Sequence, residues 1–219
     1  MSRFFAPREG YTRAERRLDS VIHISGVGAA LLAVPVLIGA AIMRSLETGS
    51  SSFIVAITVY GVCLLAMLGA SALYNIGIKP GLDWLLQRID HAAIYLKIAG
   101  TYTPFTLISG QGLGLLAGLW VAAALGTALK LFSPVRFRFV ALALYLAMGW
   151  AGVLILPSLA PLLPSATLVL MILGGVVYTT GVVFYLWTRL PYHFAIWHIF
   201  VLVASILFYA AVMVLVLST

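Results

Sequence analysis

The apolar residues of this chain fall into long unbroken runs, unlike the one-sided patterns of a water-soluble domain. A helix crossing the hydrocarbon core of a bilayer needs about 20 mostly apolar residues. Seven runs of that order are present, at 19–43, 51–75, 85–108, 113–132, 138–156, 166–187 and 192–217. Between them lies turn-forming sequence: Glu47-Thr-Gly-Ser-Ser, Gly77-Ile-Lys-Pro-Gly81, Ser109-Gly-Gln-Gly112, Ser133-Pro134, the stretch from Pro157 to Pro164, and Thr188-Arg-Leu-Pro191. The short breaks predict an all-α membrane protein. A basic segment, 1–18, would precede a single seven-helix transmembrane bundle, 19–219, with no soluble domain and no transporter-like internal repeat.

Composition agrees with that reading. Of 219 residues, 63% are hydrophobic and only 9% are charged, against about 25% charged in a soluble domain. The 13 Lys and Arg outnumber the 6 Asp and Glu, but in a membrane protein such an excess sets orientation, so lipids rather than nucleic acid are the expected partner. Arg3, Arg8, Arg13, Arg16, Arg17, Lys79, Arg88, Lys130, Arg136, Arg138 and Arg189 all fall on one side of the expected bundle, and the opposite loops hold only Arg44. The N-terminus is therefore expected in the cytoplasm and the C-terminus outside. The single cysteine, Cys63, rules out an intrachain disulfide and a thiolate metal site. No small-residue cleavage pattern follows the basic start, so the first span is expected to be retained.

A few polar residues interrupt the spans, and an ionisable group inside a span marks a candidate functional site. In the expected topology Asn75, Asp90, His23, His193 and His198 share a depth near the cytoplasmic leaflet. Ser71 and Asn75 lie four residues apart on one helix face. Asp90 and Lys97 share a face of the third span, with Lys97 leaning back toward Asp90, whereas His91 points away from that face. Tyrosines and tryptophans cluster toward span ends as interfacial belts do.

Four segments resemble the signature blocks of the hemolysin III family, bacterial relatives of the progestin and adiponectin receptors. They are Glu15 to Gly26 (ERRLDSVIHISG), Ser71-Ala-Leu-Tyr-Asn75, Ile89 to Phe105 (IDHAAIYLKIAGTYTPF) and Ala195 to Leu202 (AIWHIFVL). The resemblance implies seven membrane helices in the bacterial cytoplasmic membrane and a zinc held by three histidines, one on span two and two on span seven. The span-two serine and span-three aspartate would stand near a metal-bound water. It further implies a hydrolase of lipid amides or esters of the ceramidase type, or else a receptor or membrane-homeostasis factor.

Transferred to this chain, Ser71 and Asp90 are the expected catalytic residues and His198 the last metal ligand. Asn75 and Phe194 stand where two ligand histidines belong, and His193 is displaced by one position. Its five-residue spacing to His198 separates the two side chains by about 140° on a helix, against about 40° for a spacing of four. His193 could ligate only if the chain after Pro191 is not yet regular helix. Zinc is thus implied by the family and weakened by these substitutions.

Three functional classes follow. The first is a zinc-dependent lipid hydrolase working from an inner-leaflet cavity. The second is a non-catalytic sensor or homeostasis factor that has lost the metal, with Lys97 compensating Asp90 and His23 serving as a structural hydrogen-bonding partner. The third, a pore or cytolysin, has no wide polar helix face to support it. A retinal-binding pump is disfavoured, because span seven has no lysine.

Overall fold

The computed structural model describes residues 11–77, 81–132 and 138–218. Arg3, Arg8, Lys79, Arg136 and the Ser133-Pro134 break lie outside the described residues. The chain forms α1 (Arg13–Thr48), α2 (Ser52–Ile76), α3 (Asp83–Ser109), α4 (Leu113–Phe132), α5 (Arg138–Trp150), the short α6 (Leu156–Leu159), α7 (Ser165–Leu186) and α8 (His193–Ser218). There is no strand among the described residues.

Local chemistry explains the helix ends. The Thr12 side chain accepts from the Glu15 amide while the Glu15 carboxylate accepts from the Thr12 amide, a capping box. It starts α1 six residues before the first apolar run, so the expected boundary at residue 19 falls inside the helix. Gly49, Gly77 and Gly110 adopt the left-handed conformation that closes α1, α2 and α3. The fifth apolar run is less regular than expected. After Trp150 it tightens into a 3-10 turn, Ala151–Ile155, and re-enters a helix with Pro157 in its first turn.

Among the described residues, six helical segments are long and apolar enough to cross a membrane: α1, α2, α4, Phe139–Leu159, α7 and α8. Their outward faces carry Leu32, Val36, Leu125, Ile172 and Ile206, all well exposed in the isolated chain and suited to lipid rather than water. The chain is therefore a multi-pass membrane protein. α3, with 27 residues, is long enough but too polar to be counted with these six. Its neighbours account for this: α3 packs against both α2 and α4 and buries Asp90, Lys97, Thr101, Thr103 and Thr106.

Consecutive helices from α1 to α4 pack on one another, α7 packs on α8, and α8 closes against α1, while α5 rests more lightly on α3, α4 and α7. One core joins α1, α2 and α8 around Leu37, Ile57, Tyr60 and Val212. A second joins α3, α4 and α5 around Tyr95, Ala99, Leu119 and Ala141. Close approach in the second core depends on a glycine, since a Cβ at Gly126 would sit 2.6 Å from the Tyr95 ring. Tyr95 is fully buried against Tyr145 and has no room to yield.

Gly126→Ala is expected to destabilise the protein by about 1–3 kcal/mol through overpacking. At Gly118, on the same helix, a Cβ meets nothing within 4 Å, and Gly118→Ala should be neutral or stabilising by up to ~1 kcal/mol. Thermal unfolding of both variants in detergent checks the contrast.

Candidate functional site

The polar residues of α1, α2, α3 and α8 meet at one end of the bundle. Asp19 and His23 lie four residues apart on one face of α1, and the kinship of position puts both carboxylate and imidazole toward α8. His198 donates from Nδ1 to Asp19 Oδ1 across 2.5 Å, and His23 Nε2 is 3.6 Å from Asp19 Oδ2. The two imidazole rings stand edge to face with centroids 4.4 Å apart. Ligand atoms of Asp19, His23 and His198 all lie within 4.8 Å of one another.

Beside this group a second polar pair on α2 faces Asp90 of α3. Asn75 Nδ2 donates to the Ser71 carbonyl at 2.9 Å and to Ser71 Oγ at 3.2 Å, and the Ser71 hydroxyl lies within electrostatic reach of the Asp90 carboxylate. Asp90 is 8% exposed and lies within electrostatic reach of His23 and Asp19.

The start of α1 closes this end against the start of α8. The Tyr192 amide donates to Glu15 Oε1 at 3.0 Å, while Glu15 Oε2 holds Thr12. Tyr192 has φ of 60°, a left-handed conformation costly for a residue with a side chain, and it turns the chain so that α8 begins at His193. Tyr11 covers that residue: its hydroxyl lies 3.1 Å from His193 Nε2. Burial, reinforced by the Glu15 and Asp19 carboxylates, pushes the Tyr11 phenol up to about 12. The phenol therefore keeps its proton, and it pairs with the ring nitrogen as donor or acceptor according to the tautomer of His193.

Of the residues picked from the sequence, Ser71, Asp90, His23 and His198 come together. The expected ligand set of Asn75, His193 and His198 does not assemble. The Asn75 amide is turned to Ser71, His193 Nε2 is occupied by Tyr11, and Phe194 presents its ring edge-on to His198 at 5.6 Å. Lys97 does not answer Asp90 either, for among the described residues no ion pair joins them. Its ammonium instead lies over the rings of Tyr178 and Phe208, at 4.7 and 5.0 Å from their centroids.

The residue that sequence reasoning passed over is Asp19. The available signal was a stripe at four-residue spacing, Glu15, Asp19 and His23, which places two acids and an imidazole on one helix face. Asp19, His23 and His198 could hold a divalent cation. They offer two imidazole nitrogens and a carboxylate, a zinc donor set that leaves a fourth position open, and the buried His23 Nε2 has no hydrogen-bond partner.

Of these three, His198 borders a cavity of about 860 Å³. Ser71, Asp90, His193 and His198 line its polar end. Most of the remaining wall is apolar, including Phe105, Leu146, Leu159, Met171 and Val201.

Residues 11–209 match the family model described as Haemolysin-III related. The chain belongs to the haemolysin III family. It is 40% identical over 211 residues to Hemolysin-3 of Bacillus cereus, covering 94% of this chain and 93% of that protein. To the Hemolysin-3 homolog of Bacillus subtilis (strain 168) it is 39% identical over 199 residues, covering 89% and 91%. It is also 30% identical over 199 residues to the human Monocyte to macrophage differentiation factor, covering 84% and 79%. No solved structure matches the chain.

Asp19→Ala would leave the buried His198 Nδ1 without its acceptor, and a loss of about 1–3 kcal/mol is expected. Removing the acid of the exposed Arg44–Glu47 pair by Glu47→Ala should cost less than about 1 kcal/mol. Midpoints of thermal unfolding measured side by side in one detergent check the difference.

Proposed function

We propose that this haemolysin III protein is a metal-dependent hydrolase that cleaves a lipid amide or ester within the bacterial cytoplasmic membrane. The observation that carries this reading is the convergence of Asp19, His23 and His198, of which His198 opens, with Ser71 and Asp90, onto the polar end of an otherwise apolar cavity. A zinc ion held there would supply Lewis acidity and bring the pKa of a bound water down to about 7. Asp90 is the group placed to accept a proton from the attacking water, and Ser71, steadied by Asn75, fixes the orientation of its carboxylate. The apolar wall would hold an acyl chain and exclude bulk water, so that the linkage, not the tail, meets the polar end.

A specific observation favours a second reading. Asp19 and His198 satisfy one another at 2.5 Å, so these two members of the cluster are paired without an ion. That would suit a lipid sensor that has lost the hydrolase chemistry.

Two measurements separate these readings. The wild type should carry about one zinc per chain, lost in Asp19→Ala and His198→Ala but kept in Asp90→Ala. Turnover of a ceramide-type lipid amide should fall by at least about 100-fold in Asp90→Ala. Folded protein that neither binds zinc nor turns over any lipid amide or ester would sink the hydrolase and leave the sensor.

The orientation belongs to the same proposal. Arg13, Arg16 and Arg17 at the start of α1, Lys130 at the end of α4 and Arg189 after α7 belong to one end of a bundle crossed seven times, α3 included, which supports a cytoplasmic N-terminus. A C-terminal alkaline phosphatase fusion should then be active and a fusion in the loop between α2 and α3 inactive; the reverse pattern would overturn the orientation.

A further inference from the structure

Lys97 is 3% exposed, lies on the most buried helix of a membrane protein, and among the described residues has no carboxylate within ion-pair distance. It stands seven residues beyond Asp90, about 10 Å along α3, away from the end where Glu15, Asp19 and Asp90 gather. The ring faces of Tyr178 and Phe208 attract its ammonium, but they carry no charge to balance it. The Tyr178 hydroxyl is engaged with Ser205 at 3.2 Å, and the Thr101 hydroxyl bonds back to the Lys97 carbonyl at 2.7 Å. A buried, charged amine without a counter-ion is costly. What remains within reach is the cavity, since Lys97, Tyr178 and Phe208 all line it.

We propose that Lys97 is the anion-binding group of the cavity, taking the carboxylate or phosphate of a single-chain amphiphile between the rings of Tyr178 and Phe208. The hydrocarbon chain has its own wall further along α3, where Phe105 packs with Leu159, Leu163, Leu168 and Met171, each of which also faces the cavity. Lys130 and Arg189 line the cavity as well as Glu15 and Asp90, so the position of the headgroup is set by the apolar wall beside Lys97. This subsite is separate from the Asp19–His23–His198 group and does not depend on hydrolysis.

Binding to the full chain in nanodiscs tests the subsite, with each anion paired to a neutral probe of the same chain: oleate against oleyl alcohol, and 1-oleoyl lysophosphatidate against monoolein. In the wild type at least one anion should bind about tenfold or more tightly than its neutral counterpart. Preference for oleate alone identifies a free fatty acid, and preference for lysophosphatidate alone identifies a phospholipid headgroup. Lys97→Arg should keep the preference. Lys97→Met should abolish it while binding oleyl alcohol as the wild type does, and Lys97→Gln gives the same comparison should the methionine variant not fold. Equal binding of anionic and neutral probes by the wild type, or a preference that survives in Lys97→Met or Lys97→Gln, would overturn the proposal. Zinc content and lipid turnover are separate readouts, so a chain without hydrolase activity would still show the preference.

Discussion

A carboxylate in an apolar bundle must be met by donors from other helices, and the site is built around the way Asp19 is met. Its two oxygens face His198 of α8 and His23 of its own helix. The first and last long helices are thereby joined through polar atoms at one end, in addition to their apolar contact. Pairing of this kind fixes relative rotation in a way that the surrounding leucines and valines cannot, because an apolar surface tolerates slippage whereas an unmet carboxylate does not. Asp90 of α3 has the Ser71 hydroxyl of α2 within electrostatic reach for the same reason.

The cavity follows from where packing is weak. α1 to α4 and the α7–α8 pair close tightly on one another, while α5 touches its neighbours lightly and loses its regular helix at Ala151–Ile155. Space therefore remains inside the bundle between α3, α5, α7 and α8, and the polar residues of α3 border it. Its chemical asymmetry has a simple origin. Acids and imidazoles occupy the end where α1 and α8 start, an ammonium sits two turns along α3, and hydrocarbon lines most of the rest.

Much of this was legible in the sequence. Apolar run length located every long helix, and turn residues located most of their ends. Two features escaped for physical reasons. The extra turns at the start of α1 are held by the Thr12–Glu15 capping box, which a hydropathy threshold does not sense. The 3-10 turn after Trp150 is made of residues as apolar as the helix before it. At the site, Ser71, Asp90, His23 and His198 were found because polar residues stand out within apolar runs. Asp19 was not, since an acid near the end of a span reads as solvated when its partner on α8 is unknown. Lys97 misled for a related reason. Sharing a helix face with Asp90 is a property of α3 alone, whereas Tyr178 and Phe208, which receive the ammonium, come from α7 and α8.

The span of sequence between the site's halves also matters for how the protein is made. Asp19 and His198 are 179 positions apart, and the Glu15–Tyr192 and Tyr11–His193 contacts bridge 177 and 182. During synthesis α1 emerges well before α8, carrying an acid whose principal partner is on that later helix. Until α8 arrives, Asp19 has only His23 on its own helix to turn to. Ring closure and site assembly are therefore one event, which waits for α8.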